Sequence, residues 1–137
     1  MRRGDLVEFM HRDGSARSIL RLLKEGRLFG VLIDQDTKVE GVFADFLGRP
    51  AWTPSSPMRI AMTYNLPVYV SWTARQPDGT HRLVVRELEN RVDTGDFDAD
   101  LVANLETVNR MICEGVRQYP EQWVWMHDRW KTKPGER

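Results

Sequence analysis

Apolar residues along this chain follow two periodicities. From Ser15 onward, Ile19, Leu20, Leu22 and Leu23 share one face of a helical wheel, while Arg17, Arg21, Lys24 and Glu25 spread around the rest. This predicts a helix with Ser15 as N-cap and Gly26 as its left-handed stop. Short apolar runs flank it, Leu6 to Met10 and Leu28 to Ile33, the first followed by a polar break at His11-Arg12-Asp13-Gly14. Strand, helix and strand read as a βαβ unit, whose crossover is expected to be right-handed. The second run is continuous rather than alternating, as in a parallel strand buried on both faces. It stops at Asp34, Gln35 and Asp36, and a Gly-, Pro- and Ser-rich loop carries the chain to Pro57.

Beyond that loop, Pro57 to Tyr64 reads as a short helix with Pro57 in its first turn and Asn65 closing it. Pro67 to Thr73 and His81 to Leu88 are β-rich, and in the second Leu83 and Val85 alternate with Arg82, Val84 and Arg86. Gln76-Pro77-Asp78-Gly79 between them is turn chemistry, so the pair is expected as an antiparallel hairpin. Asp96, Asp98 and Asp100 crowd the start of a longer helix, where carboxylates oppose the positive end of the dipole. Leu101, Leu105, Val108, Ile112, Val116 and Tyr119 form its apolar stripe. Pro120 ends it, and a shorter helix is expected through Trp123 to Trp130, with Trp123 and Trp130 on one face. The whole is an α/β chain: a βαβ unit plus a hairpin in a mixed sheet with flanking helices. Residues 1–137 read as a single domain, with a charged tail over 130–137.

Composition narrows the chemistry. Lys and Arg number 20, as do Asp and Glu, so no global field draws in nucleic acid. Both ends are locally basic, with Arg2 and Arg3 at one and Arg129, Lys131 and Lys133 at the other. The lone cysteine, Cys113, excludes an internal disulfide and a Cys-based zinc cage, and its apolar neighbours mark it as core. No run approaches the ~18 apolar residues of a membrane span, so the chain as given reads as soluble.

Asp34 is the first candidate for a functional carboxylate, because open α/β sheets bind ligands beyond the carboxyl ends of their strands. A loop-capping role, accepting backbone N–H bonds, is the alternative. The alternating carboxylates at Asp96, Asp98 and Asp100 suggest a calcium loop, but the register fails: the required glycine position holds Leu101 and the bidentate position Thr107. His11, His81 and His127 are scattered, and no metal site is expected. No P-loop, Gly-x-Gly-x-x-Gly or Gly-x-Ser-x-Gly element occurs. Three tryptophans within eight residues, Trp123 to Trp130, read either as a core anchor or as an interfacial aromatic belt.

At Pro120-Glu121-Gln122-Trp123-Val124-Trp125-Met126-His127-Asp128-Arg129-Trp130-Lys131 the chain resembles the closing signature of the bacterial lipid A biosynthesis acyltransferases, the lauroyl/myristoyl transferase family. The resemblance continues upstream through Leu23-Lys24-Glu25-Gly26, Asp34-Gln35-Asp36, Gly41-Val42-Phe43, Phe46-Leu47-Gly48-Arg49-Pro50-Ala51 and Leu66-Pro67-Val68, in the family's order. It implies transfer of a fatty acyl chain from an acyl carrier protein thioester to a glycolipid hydroxyl, at the cytoplasmic face of the inner membrane and without a cofactor.

One departure stands out. The family's His-x-x-x-x-Asp/Glu motif pairs a proton-accepting histidine with an orienting carboxylate. The fifth residue after His11 is Ala16, after His81 Arg86 and after His127 Thr132, so no catalytic residue can be carried over. The chain therefore resembles the C-terminal half of such an enzyme and is expected to be inactive alone. The alternative is a non-catalytic lipid- or protein-binding remnant of the fold.

By resemblance, Arg12 stands at a functionally important arginine of the family, suited to a phosphate or an oxyanion. Asp34 or Asp36 matches an essential acidic position, Asp34 being favoured. Gln35 and Arg49 are weaker polar contacts, and Phe43, Phe46 and Trp52 are candidates for the acyl pocket or for plain core. Sheet edges and faces that such a half leaves uncovered predict a homodimer.

Overall fold

In the computed structural model of the chain, residues 16–136 are described. They belong to two compact units, one ending at Val31 and the other beginning at Leu32. The expected strand Leu6 to Met10, together with Arg12 and Ser15, lies outside the described residues.

In the first unit α1 spans Ala16–Lys24 and half-buries Ile19, Leu20, Leu22 and Leu23, the stripe expected of it. Gly26 ends it at φ 74°. The Gly26 N–H donates to the Leu23 carbonyl at 3.0 Å and the Arg27 N–H to that of Leu22 at 3.1 Å, the paired bonds of a Schellman stop. The run Leu28 to Ile33 is a correction: it has no regular structure and pairs with no described strand. Leu28 is 93% exposed and Leu32 73%. A strand exists only through its ladder, and an apolar run without a partner ladder cannot be assigned by periodicity.

The second unit is built on α3, Phe97–Gln118. Asp96 caps it, accepting from the Ala99 N–H at 3.1 Å. Asp100 is buried and accepts from the N–H and hydroxyl of Thr94, each at 2.8 Å. Asn104, also buried, takes the Val92 N–H and returns its amide to the Val92 carbonyl. These two side chains fasten the connection before α3 to the helix and satisfy backbone groups that burial would otherwise leave orphaned.

Two antiparallel hairpins and a short helix pack on α3. The loop expected after Asp36 contains the first hairpin, β1 (Gly41–Phe46) with β2 (Arg49–Pro54). Leu47 at φ 54° and Gly48 at φ 82° form its two-residue turn, the primed geometry that suits strand twist. Its inner face carries Ala44, Phe46, Ala51 and Thr53, all buried. Gly41 has no room for a side chain: a Cβ there would lie 2.5 Å from the Thr53 carbonyl oxygen.

Helix α2, Ser56–Thr63, holds Pro57 in its first turn and buries Met58 and Ala61. Arg91 covers its exit, donating to the carbonyls of Ala61 and Leu66 and to Asn65 Oδ1. The second hairpin is β3 (Tyr69–Arg75) with β4 (His81–Glu87), in the expected order. Its inner face presents Val70, Trp72 and Ala74, with Val84 opposite Trp72. Tyr69, Leu83 and Val85 point outward and are more than half exposed.

The core has two parts. Ala44, Met58, Ala61, Val70, Leu88, Leu101, Leu105 and Val108 form the larger. Phe46, Ala51, Cys113 and Val116 form the smaller, covered by Trp123 and Trp130. Burial raises the Cys113 thiol pKa above its ordinary value, which suits an inert core residue. The helix expected over Trp123 to Trp130 is also corrected. A 3₁₀ turn, Pro120–Gln122, gives way to extended backbone at Trp123 and then to local turns. The pull of Trp123, Arg129 and Trp130 onto the smaller core sets that path, overriding helical spacing.

Candidate functional site

The apolar run from Leu28 ends in the half-buried turn Asp34-Gln35-Asp36, and the C-terminal segment holds both carboxylates. Asp36 is engaged at both oxygens: Oδ2 accepts the Thr132 N–H at 2.7 Å and Oδ1 its hydroxyl at 3.0 Å. Asp34 Oδ2 accepts the indole N–H of Trp123 at 3.3 Å. Asp34 Oδ1 has no hydrogen bond among the described residues.

Arg129 lies behind this turn and is fully buried. Its Nη1 donates to the Trp52 carbonyl at 2.5 Å and its Nη2 to Thr53 Oγ1 at 2.8 Å, while the guanidinium carbon sits 4.9 Å from the centre of the Phe46 ring. Burial lowers the pKa of Arg129 from the ordinary arginine value, and the charges of Asp34 and Asp36 oppose that shift. A guanidinium keeps its proton in any case, so the two aspartates act as its counter-charges. Thr53 Oγ1 also accepts from Asn109 Nδ2 at 3.2 Å and donates to the Ala51 carbonyl at 3.0 Å. Strand β2, helix α3 and the C-terminal segment thus meet at one hydroxyl.

Phe46, the ring against the charge, is itself packed in an aromatic cluster. Phe46 stacks on Trp123 at 5.5 Å and meets Trp130 edge-on at 6.0 Å. Arg49 is exposed and lies over the outer side of Trp130, 4.9 Å from the ring centre. On the other face of the first hairpin Phe43 meets Trp52 edge-on at 5.2 Å, and Trp52 Nε1 donates to the Val39 carbonyl at 3.1 Å. Phe43 and Trp52 remain partly exposed, whereas Phe46 is wholly buried.

Of the residues singled out in the sequence, Asp34, Gln35 and Asp36 share one turn, and Phe46 lies beneath the Trp123 that holds it. Phe43 and Trp52 form a separate pair. Arg12 lies outside the described residues. Trp123 and Thr132, which hold the turn, and Arg129, which fastens the same segment to β2, are not among those candidates. The available signal was a charged residue set inside a tryptophan-rich run: an arginine there is buried only if acceptors await it. Among the described residues no group of His, Cys, Asp and Glu is arranged to hold a metal ion.

The sequence matches the family model described as bacterial lipid A biosynthesis acyltransferase over residues 1–132, nearly its whole length. No curated protein matches it.

The contacts of Arg129 predict a stability difference. Arg129→Met keeps much of the volume but leaves the Trp52 carbonyl and one lone pair of Thr53 Oγ1 without their donor. It is expected to cost about 1–3 kcal/mol in urea unfolding. Arg49→Met removes only an exposed cation–π contact and is expected to cost under about 1 kcal/mol. Equal losses at the two positions would contradict the assignment of Arg129 as the buried anchor.

Proposed function

The chain belongs to the bacterial lipid A biosynthesis acyltransferase family, and from that premise we propose that it handles an acyl carrier protein thioester as donor and a glycolipid hydroxyl as acceptor. In the full reaction the acceptor oxygen bonds to the acyl carbon, the thioester C–S bond breaks, and the acceptor proton leaves through a base. No histidine of this chain has a carboxylate five positions on, so the chain alone supplies binding surface and positioning but not that base, and it is inactive by itself.

The observation that carries the site assignment is the unequal engagement of the two carboxylates. With both oxygens of Asp36 held by Thr132, Asp34 is the one with an oxygen left for a ligand. Asp34 then orients the acceptor hydroxyl, with Gln35 and Arg49 as further polar contacts, while Arg12 is a candidate by its resemblance to the family alone. Phe43 and Trp52 flank the acyl chain, and Phe46 supports the site from the core. Among the described residues no helix is long and apolar enough to cross a membrane, so the proposed setting at the cytoplasmic face of the inner membrane calls for surface contact by this part of the chain. The absent motif favours a second reading, a non-catalytic lipid- or protein-binding remnant.

Incubation with an acyl carrier protein thioester and a glycolipid acceptor is expected to give no transfer but measurable acceptor binding. Asp34→Ala is expected to weaken that binding roughly tenfold or more, a larger effect than its cost in stability, which comes from the lost Trp123 hydrogen bond and the lost counter-charge to Arg129. Turnover that survives repurification would overturn the inactivity, and parallel loss of binding and stability would return Asp34 to loop capping. No acceptor binding at all would favour the remnant.

For self-association we propose the outer face of β3–β4, where the exposed Tyr69, Leu83 and Val85 would be the apolar centre of a larger interface with a second copy that also takes in Ser71, Thr73 and Glu87. Light scattering across a concentration series is expected to report a dimer, and a strict monomer at all concentrations would contradict it.

A further inference from the structure

The turn at Val124-Trp125-Met126 places three consecutive apolar side chains in water. Val124 is 57% exposed, Trp125 52% and Met126 93%. The turn is not slack chain. His127 N–H closes it on the Val124 carbonyl at 3.2 Å, and the Trp125 indole N–H is satisfied by the Pro120 carbonyl at 2.6 Å. The Trp125 ring stands edge-on to Trp123 at 4.7 Å, and Trp123 in turn stacks on the buried Phe46. A rigid mount therefore holds an apolar tip outward, with the polar atom of its tryptophan already paired.

We propose that this tip is a shallow anchor into the interfacial region of a phospholipid bilayer. Two physical arguments select that occupant. The tip is three side chains, far below the roughly 800 Å² per partner of a stable protein interface, whereas interfacial insertion has no such threshold and its strength scales with whatever apolar area is buried. A tryptophan with a paired N–H and an open ring face also suits the headgroup level, where amphipathic rings accumulate. The neighbouring exposed charges, Glu121 and Asp128 against Lys131 and Lys133, cancel, so the attraction is apolar and does not depend on anionic lipid.

The same mount reaches the candidate site, since Trp123, whose ring supports the tip, donates its N–H to Asp34. Insertion of the tip would hold Asp34 close to the surface where a lipid acceptor lies. This step deepens the acyl-transfer reading and rests on it, but the anchor itself is tested without any transfer assay, so the two fail separately.

The test is flotation of the full chain with uncharged phosphatidylcholine vesicles at low and high salt. Binding is expected at both, with a blue shift in tryptophan emission. Met126 is almost wholly exposed, so Met126→Asp leaves the fold intact and is expected to reduce the partition coefficient about tenfold. Trp125→Ala is expected to reduce it further, with circular dichroism and the melting temperature reporting whether the mount survives. No binding of the wild-type chain, binding unchanged by Met126→Asp, or binding that needs anionic lipid and vanishes in salt would each overturn the proposal.

Discussion

A guanidinium that lies on the Phe46 ring and has two direct acceptors among the described residues is costly to bury, and the second unit is arranged around meeting that cost. Arg129 takes the Trp52 carbonyl and the Thr53 hydroxyl from the inner edge of β2, lies on the Phe46 ring, and has Asp34 and Asp36 as counter-charges. These partners come from three stretches of sequence, β2, Phe46 of β1 and the turn after Ile33. Arg129 therefore ties the C-terminal segment to the first hairpin, while Trp123 and Thr132 tie that segment to the turn after Ile33. Removing any partner leaves the charge less compensated, so the constraint is mutual.

This arrangement explains why the two aspartates differ. Asp36 is bound at both oxygens by Thr132 and serves the clamp, whereas Asp34 shares one oxygen with Trp123 and keeps the other. Trp123 does two things at once: its ring closes the smaller core against Phe46, and its N–H sets the direction of Asp34. The tip at Val124 to Met126 extends from the same ring, so the surface and the site are joined through one side chain rather than through a flexible loop.

Elements whose signals are local were legible in the sequence. The stripe and Gly26 stop of α1, the Pro57 start of α2, the Asp-rich start of α3 and the turn between β3 and β4 all depend on neighbouring residues. The first hairpin was hidden because its turn, Leu47-Gly48, sits in a stretch whose glycines and prolines read as loop. Leu28 to Ile33 was read as a strand because its apolarity was visible while its lack of a partner was not. The outward placement of Leu83 and Val85 depends on how the β3–β4 hairpin packs against α3 through β3, which alternation alone leaves undecided. At the site the Asp34 to Asp36 turn was marked by the end of an apolar run. Arg129 was not, because its acceptor Thr53 lies 76 positions away, and no local pattern separates a buried arginine from one in a basic tail.

Native-state hydrogen exchange at the Thr132 amide tests the clamp most directly. That N–H sits in the charged terminal stretch, in a buried residue whose backbone donates to Asp36 among the described residues, three positions after the Arg129 anchor. The account predicts exchange slowed on the order of a hundredfold or more in the intact chain, and loss of that protection in Arg129→Met. Exchange at the rate of an unstructured peptide in the intact chain would contradict it.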